Sequence, residues 1–127
     1  VACSGEELLE MRAIANRIPV SEEILRYAMT LCSATHPDSE CASEAAKKYV
    51  RLGASPRASL ALMKVTQAYA FVLGRDYVIP EDVSAVYLPV IAHRISLSKE
   101  ARMNSEKTDD ILRGILRSTD VPFKGQR

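Results

Sequence analysis

The residues best suited to do chemistry lie in the string Gly53-Ala54-Ser55-Pro56-Arg57-Ala58. Serine is a good N-cap, and proline suits the first helical position because the N–H it lacks has no intrahelical partner there. Arg57 then falls in the first turn, where the helix dipole is positive and a cation is locally unfavourable. A helix that opens well yet carries an arginine at its positive end suggests an anion held from outside. Helix N-termini bind phosphates, and a guanidinium adds a charge-assisted, often bidentate, contact. A solvated surface arginine is the competing reading of the same residues.

Other constellations say less. His93-Arg94 puts two cationic side chains near the C-terminal end of a helix, where the dipole favours them. Both helix-end stabilisation and a contact to a neighbouring domain or subunit fit that placement. Cys32, His36 and Cys41 are close in sequence, but a fourth ligand is missing and the spacing matches no zinc pattern, so no metal site is expected. Neither histidine stands at a recognisable spacing from a nucleophile and a carboxylate. There is no G-x-x-x-x-G-K-[ST] string to cradle nucleotide phosphates, and no strand ending in the paired acids that hold magnesium in such enzymes. The tyrosines at 27, 49, 69, 77 and 87 are scattered over several elements, which fits core positions better than a base-stacking platform.

The 127 residues suffice for one domain, and the 47% hydrophobic and 26% charged content is that of an ordinary globular chain. A net charge of +1 with interspersed signs leaves no electrostatic footprint for nucleic acid or anionic membrane. Three cysteines without C-x-x-C spacing fit reduced, cytoplasmic thiols better than a disulfide framework. No apolar run approaches the length of a membrane span. The chain opens on Val1 rather than methionine, and the expectation is a piece of a longer protein.

The elements that position these residues are predicted to be helical. Ser4 and Glu7 form a capping box for a helix to about Asn16, and Ser21 caps a second that lines Ile24, Tyr27, Ala28 and Leu31 on one face. A loop at 36–39 precedes a short helix from about Ser43 to Arg51, stopped at Gly53. From Pro56 to Leu73 the residues are apolar nearly all round, which predicts a buried central helix ended by Gly74. Pro80 opens the next helix, and Pro89 inside it is expected to kink or split it. Residues 95–98 read as extended, and those up to Lys107 as loop or a hairpin arm. Thr108 is expected to cap a last helix striped with Ile111, Leu112, Ile115 and Leu116. The prediction is an all-α bundle of about five helices around one buried helix, spanning 1–122, with a flexible tail at 123–127.

The strings Gly53 to Ala58, Gly74-Arg75-Asp76-Tyr77-Val78, Pro80-Glu81-Asp82-Val83 and His93-Arg94, in that order and spacing, resemble the C-terminal lid of MoxR-family AAA+ ATPases. The resemblance covers nearly the whole chain and is most specific between Gly53 and Arg94. It implies a helical lid packed on an α/β nucleotide-binding core. It also implies that Arg57, aimed by Ser55 and Pro56, is the sensor 2 residue that reaches the nucleotide phosphates. His93 and Arg94 are then candidates for an inter-domain or inter-subunit contact. ATP and Mg2+ are implied for the full-length protein, with neither held stably by this fragment, which contains no catalytic residue of its own. The family is regarded as chaperone-like, working as ring oligomers on partners that often carry von Willebrand factor A domains. Ile79 stands where relatives often have a threonine or serine cap, and residues 32–48 match poorly, so no role is transferred onto them.

The alternative reading is a stand-alone helical adaptor or DNA-binding module with a basic edge of Arg51, Arg57 and Lys64. The near-neutral charge weighs against it, and no membrane partner is expected.

Overall fold

A computed structural model describes residues 2–123. The residues at 124–127, and with them all of the expected tail except Phe123, lie outside the described part. Among the described residues there are seven α-helices: α1 (Gly5–Asn16), α2 (Glu22–Ser33), α3 (Glu44–Tyr49), α4 (Pro56–Val72), α5 (Pro80–Ile91), α6 (Lys99–Met103) and α7 (Thr108–Ser118). A single 3₁₀ turn, Ala92–Arg94, extends α5, and two short strands, β1 (Val50–Leu52) and β2 (Ser96–Leu97), pair antiparallel with Val50 opposite Leu97 and Leu52 opposite Ser96. The all-α expectation holds, with more helices than the five or so expected.

The helix starts follow local chemistry. Ser4 and Glu7 form a reciprocal capping box, and the Ser21, Ser43, Ser55 and Ser98 hydroxyls each accept a backbone N–H of the following turn. Helix α4 ends in a Schellman motif. Gly74, at φ 81°, donates its N–H to the Phe71 carbonyl, and Arg75 donates to that of Ala70. A glycine is needed there because other side chains rarely adopt that φ.

Helix α4 is central, packing against α1, α2 and α5, but it is not buried all round. Only the stripe Ala58, Leu62, Thr66 and Ala70, spaced four apart, is sealed from solvent. Leu60 is 65% exposed and Val72 79% exposed, and Val65 also faces outward. Leu8 of α1 lines a groove with Val65 and Val72, and α1 also leaves Leu9 and Ile14 exposed. An apolar circumference therefore records two partners here, the domain's own core on one side and an open apolar surface on the other. The core proper gathers Ile24, Leu31, Leu62, Val83, Tyr87, Ile91, Leu112 and Ile115, drawn from α2, α4, α5 and α7. Polar groups on α4 are matched to carbonyls: the Thr66 hydroxyl donates to Leu62 at 2.6 Å, and the Gln67 amide donates to Ile18 at 2.8 Å, fastening the end of α1.

Three local expectations are corrected. The short helix stops at Tyr49 rather than Arg51, because Val50 turns extended and enters the β1–β2 ribbon, where a β-branched side chain is well accommodated. Residues 99–103 are helical rather than loop, with Ser98 as cap and Ala101 fully buried; five residues are too few to display a period. Thr108 is the first helical residue rather than the cap, which is Lys107 without a side-chain bond. Of the two outcomes expected at Pro89, a kink or a split, the split does not occur, since α5 runs on to Ile91. Both Pro89 and Ala85, whose carbonyl loses its partner, are exposed, so that carbonyl is open to water.

Candidate functional site

Arg57 sits in the first turn of α4, exposed, with no acidic residue in that turn. Among the described residues its guanidinium has no hydrogen-bond or ion-pair partner. Behind it the helix start is well made: the Ser55 hydroxyl accepts the Ala58 N–H at 3.3 Å, Pro56 occupies the first position, and Ala58 is fully buried. The result is an exposed cation on a firmly capped start at the positive end of a 17-residue helix, with donors and charge both unspent. That combination suits an anionic group with several oxygens, such as a phosphate.

The loop leading into this helix is clamped by the end of α2. The buried Thr35 hydroxyl accepts the Ala54 N–H at 2.8 Å and donates to the Cys32 carbonyl at 2.6 Å. The His36 ring nitrogen Nε2 bonds the Ala54 carbonyl at 2.5 Å, which requires Nε2 to carry the proton. Both backbone groups of Ala54 are thus taken by consecutive side chains. Gly53 fits beneath because a Cβ there would lie 2.8 Å from His36 Cγ and 2.9 Å from its Cα and backbone nitrogen. The last turn of α2 is in turn braced by α5, since the buried Tyr87 hydroxyl donates to the Leu31 carbonyl at 2.8 Å. Burial, then the neighbouring Cys32 and Tyr27, hold that phenol protonated far above its ordinary range. Burial likewise pushes the Cys32 thiol up, partly offset by a hydrogen bond with Ser59 in the first turn of α4.

Thr35 and His36 are the residues that sequence reasoning missed. Their partner is 18 or 19 positions away, and a threonine–histidine pair in a loop carries no local signature. Among the described residues no group of three or more histidines, cysteines or acids is placed to hold a metal. His36 is occupied by the backbone, Cys32 is buried and Cys41 is exposed.

His93 and Arg94 are exposed in the 3₁₀ turn after α5. Arg94 Nε donates to the Val90 carbonyl at 3.0 Å, so it does finish the helix, as the simpler of the two expectations had it. His93 has no partner among the described residues.

A second arginine, Arg75, is built quite differently. Its guanidinium makes a bidentate pair with Asp82, which is 1% exposed, and a further bond to the Tyr77 carbonyl. Asp82 also accepts the Ile79 N–H at 2.9 Å. This acid, three residues into the motif, makes up for the side-chain cap that Ile79 is unable to supply.

The AAA lid domain family model matches residues 42–115, and the chain belongs to that family. The chain is 32% identical over 119 residues to "Chaperone MoxR1" of Mycobacterium tuberculosis, covering 94% of this chain and 32% of that protein. It is 38% identical over 82 residues to "Protein MoxR" of Paracoccus denitrificans, covering 61% of this chain and 24% of that one. The crystal structure of a "putative ATPase" from Cytophaga hutchinsonii superposes with a TM-score of 0.86 at 37% identity, over 91% of this chain and 35% of that one. Within the family, it is a lid of the MoxR type of AAA+ ATPase. It spans about a third of the length of the first of these relatives.

Proposed function

We propose that this lid supplies Arg57 as the sensor 2 arginine to a nucleotide bound on an α/β core elsewhere in the full-length protein. The observation that carries the reading is the free, exposed guanidinium in the first turn of a firmly capped helix. A phosphate would find there a charge-assisted donor and a helix N-terminus together. The nucleotide's own contribution, when bound, is a cleavable phosphoanhydride whose loss removes charge next to Arg57. The chain's contribution is to bind and orient: Ser55 and Pro56 set the helix start, and Arg57 presents its fork. Mg2+, which accompanies ATP in such enzymes, is assigned to the core.

Since nucleotide would bridge core and lid, hydrolysis biases the angle between them. The exposed apolar face of α1 and α4 supports a lid that packs against another body, and we place the α/β core there. His93 is the free side chain for a contact to a neighbouring subunit of a ring. Through these contacts ATP hydrolysis drives chaperone-like remodelling of partner proteins, including ones with von Willebrand factor A domains. The test is steady-state ATP turnover by the full-length protein. Arg57→Ala lowers it by about a hundredfold, in the range found when a charge-stabilising donor is removed, and leaves the lid folded. Unchanged turnover sinks the assignment.

A further inference from the structure

We infer that Thr35 and His36 are positioning residues for Arg57: together they fix the backbone from which the arginine arm projects. The inference rests on the reading of Arg57 as a phosphate contact and adds what aims it. Both residues lie outside the segment that matches the family model, which starts at residue 42.

Helix capping alone leaves the aim of Arg57 open. Ser55 and Pro56 determine where the helix starts along the chain, but the axis direction at that end depends on how the preceding loop is anchored. Ala54 is the last residue before the cap, and it is held on both sides of its peptide units. Thr35 Oγ1 takes its N–H and His36 Nε2 takes its carbonyl, while Ala54 itself is 2% exposed. A backbone gripped at both its N–H and its carbonyl is unable to rotate without breaking one of those bonds. The grip has little slack, because Gly53 packs against the His36 ring and backbone too closely to admit a methyl group.

The anchor is also stiff. Thr35 Oγ1 is donor and acceptor at once, relaying the Ala54 bond into the Cys32 carbonyl, and the adjacent Leu31 carbonyl is held by Tyr87 from α5. Three elements therefore meet under the Arg57 arm: the end of α2, the body of α5 and the loop into α4. A group that must meet a phosphate arriving on another body gains from such support, since a misplacement of about 1 Å costs about a hundredfold in rate.

The experiment is a mutant cycle in the full-length ATPase, measuring kcat and KM for ATP. Thr35→Val removes both hydroxyl bonds at nearly constant volume, and Thr35→Ser restores them. His36→Leu removes the second grip without touching the first. We expect Thr35→Val and His36→Leu each to lower turnover by about tenfold, with Thr35→Ser near wild type. On top of Arg57→Ala neither substitution has a further effect, because both act through that arginine. If Thr35→Val fails to fold, the His36→Leu arm carries the same test alone. Wild-type turnover in both single variants, while Arg57→Ala is impaired, overturns the positioning role and leaves the Arg57 reading standing. Losses that multiply with that of Arg57→Ala show a merely structural role and also overturn it. Wild-type turnover in Arg57→Ala takes both readings down.

Discussion

The two ends of α4 each carry an arginine, and the two are used in opposite ways. At the C-terminal end Arg75 is consumed by the fold: its fork closes on Asp82, a carboxylate almost wholly sealed from water, and the pair ties the turn after α4 to the start of α5. The nearby Asp82 bond raises the guanidinium's affinity for its proton still further. At the N-terminal end Arg57 has no partner among the described residues, although the backbone beneath it is held by four side chains, those of Thr35, His36, Ser55 and, through the Leu31 carbonyl, Tyr87. The order is inverted between the ends. One fixes its arginine by satisfying it; the other fixes everything around its arginine and leaves the charge unsatisfied. A free charge on a rigid base is what the proposed contact to a phosphate outside the domain requires.

Removing the satisfied side should therefore cost stability, and removing the free one should not. The largest effect is expected for Asp82→Ala, which strips the α5 start of its acceptor, leaves the Ile79 N–H unpaired and leaves the Arg75 fork with only the Tyr77 carbonyl. Urea denaturation of the lid should show a loss of about 3 kcal/mol. Gly53→Ala comes next, at about 2 kcal/mol by the same measurement, because the new methyl forces apart the Gly53 and His36 backbones. It should also lower ATP turnover in the full-length protein, which Asp82→Ala in a still-folded lid does less. Arg57→Ala should change stability by no more than about 0.5 kcal/mol. A large loss there would erase the contrast, by revealing that Arg57 is satisfied within the fold after all.

Much of this architecture was legible because helix ends are local. Ser4 with Glu7, Ser21, Ser55-Pro56 and Gly74 announce their roles through residues three or four positions away, and the structure places caps at all of them. What escaped depends on distant partners. The β1–β2 ribbon pairs residues more than 40 positions apart, so Val50 and Arg51 read as the end of a helix. The burial of α4 was overestimated because an apolar side chain looks the same in sequence whether it faces its own core or a docking surface. Leu60 and Val72 turn away from the core and are exposed. At the site the arm itself, Ser55 to Arg57, was visible as a pattern. Its anchor was not, since Thr35 and His36 acquire meaning only when the chain folds Ala54 between them.

The small ribbon has a mechanical consequence. Leu52, one residue before Gly53, lies opposite Ser96, two residues after Arg94. The tie continues past the strands, with the Ser98 N–H donating to Tyr49 at 2.7 Å and its hydroxyl to Lys48 at 3.1 Å. Neighbouring strands stand about 4.8 Å apart. The root of the Arg57 arm and the turn bearing His93 are thus yoked side by side, though far apart along the chain. Should Arg57 meet a phosphate and His93 a neighbouring subunit as proposed, the ribbon gives a load at one a short hydrogen-bonded route to the other, with little loop between them to bend.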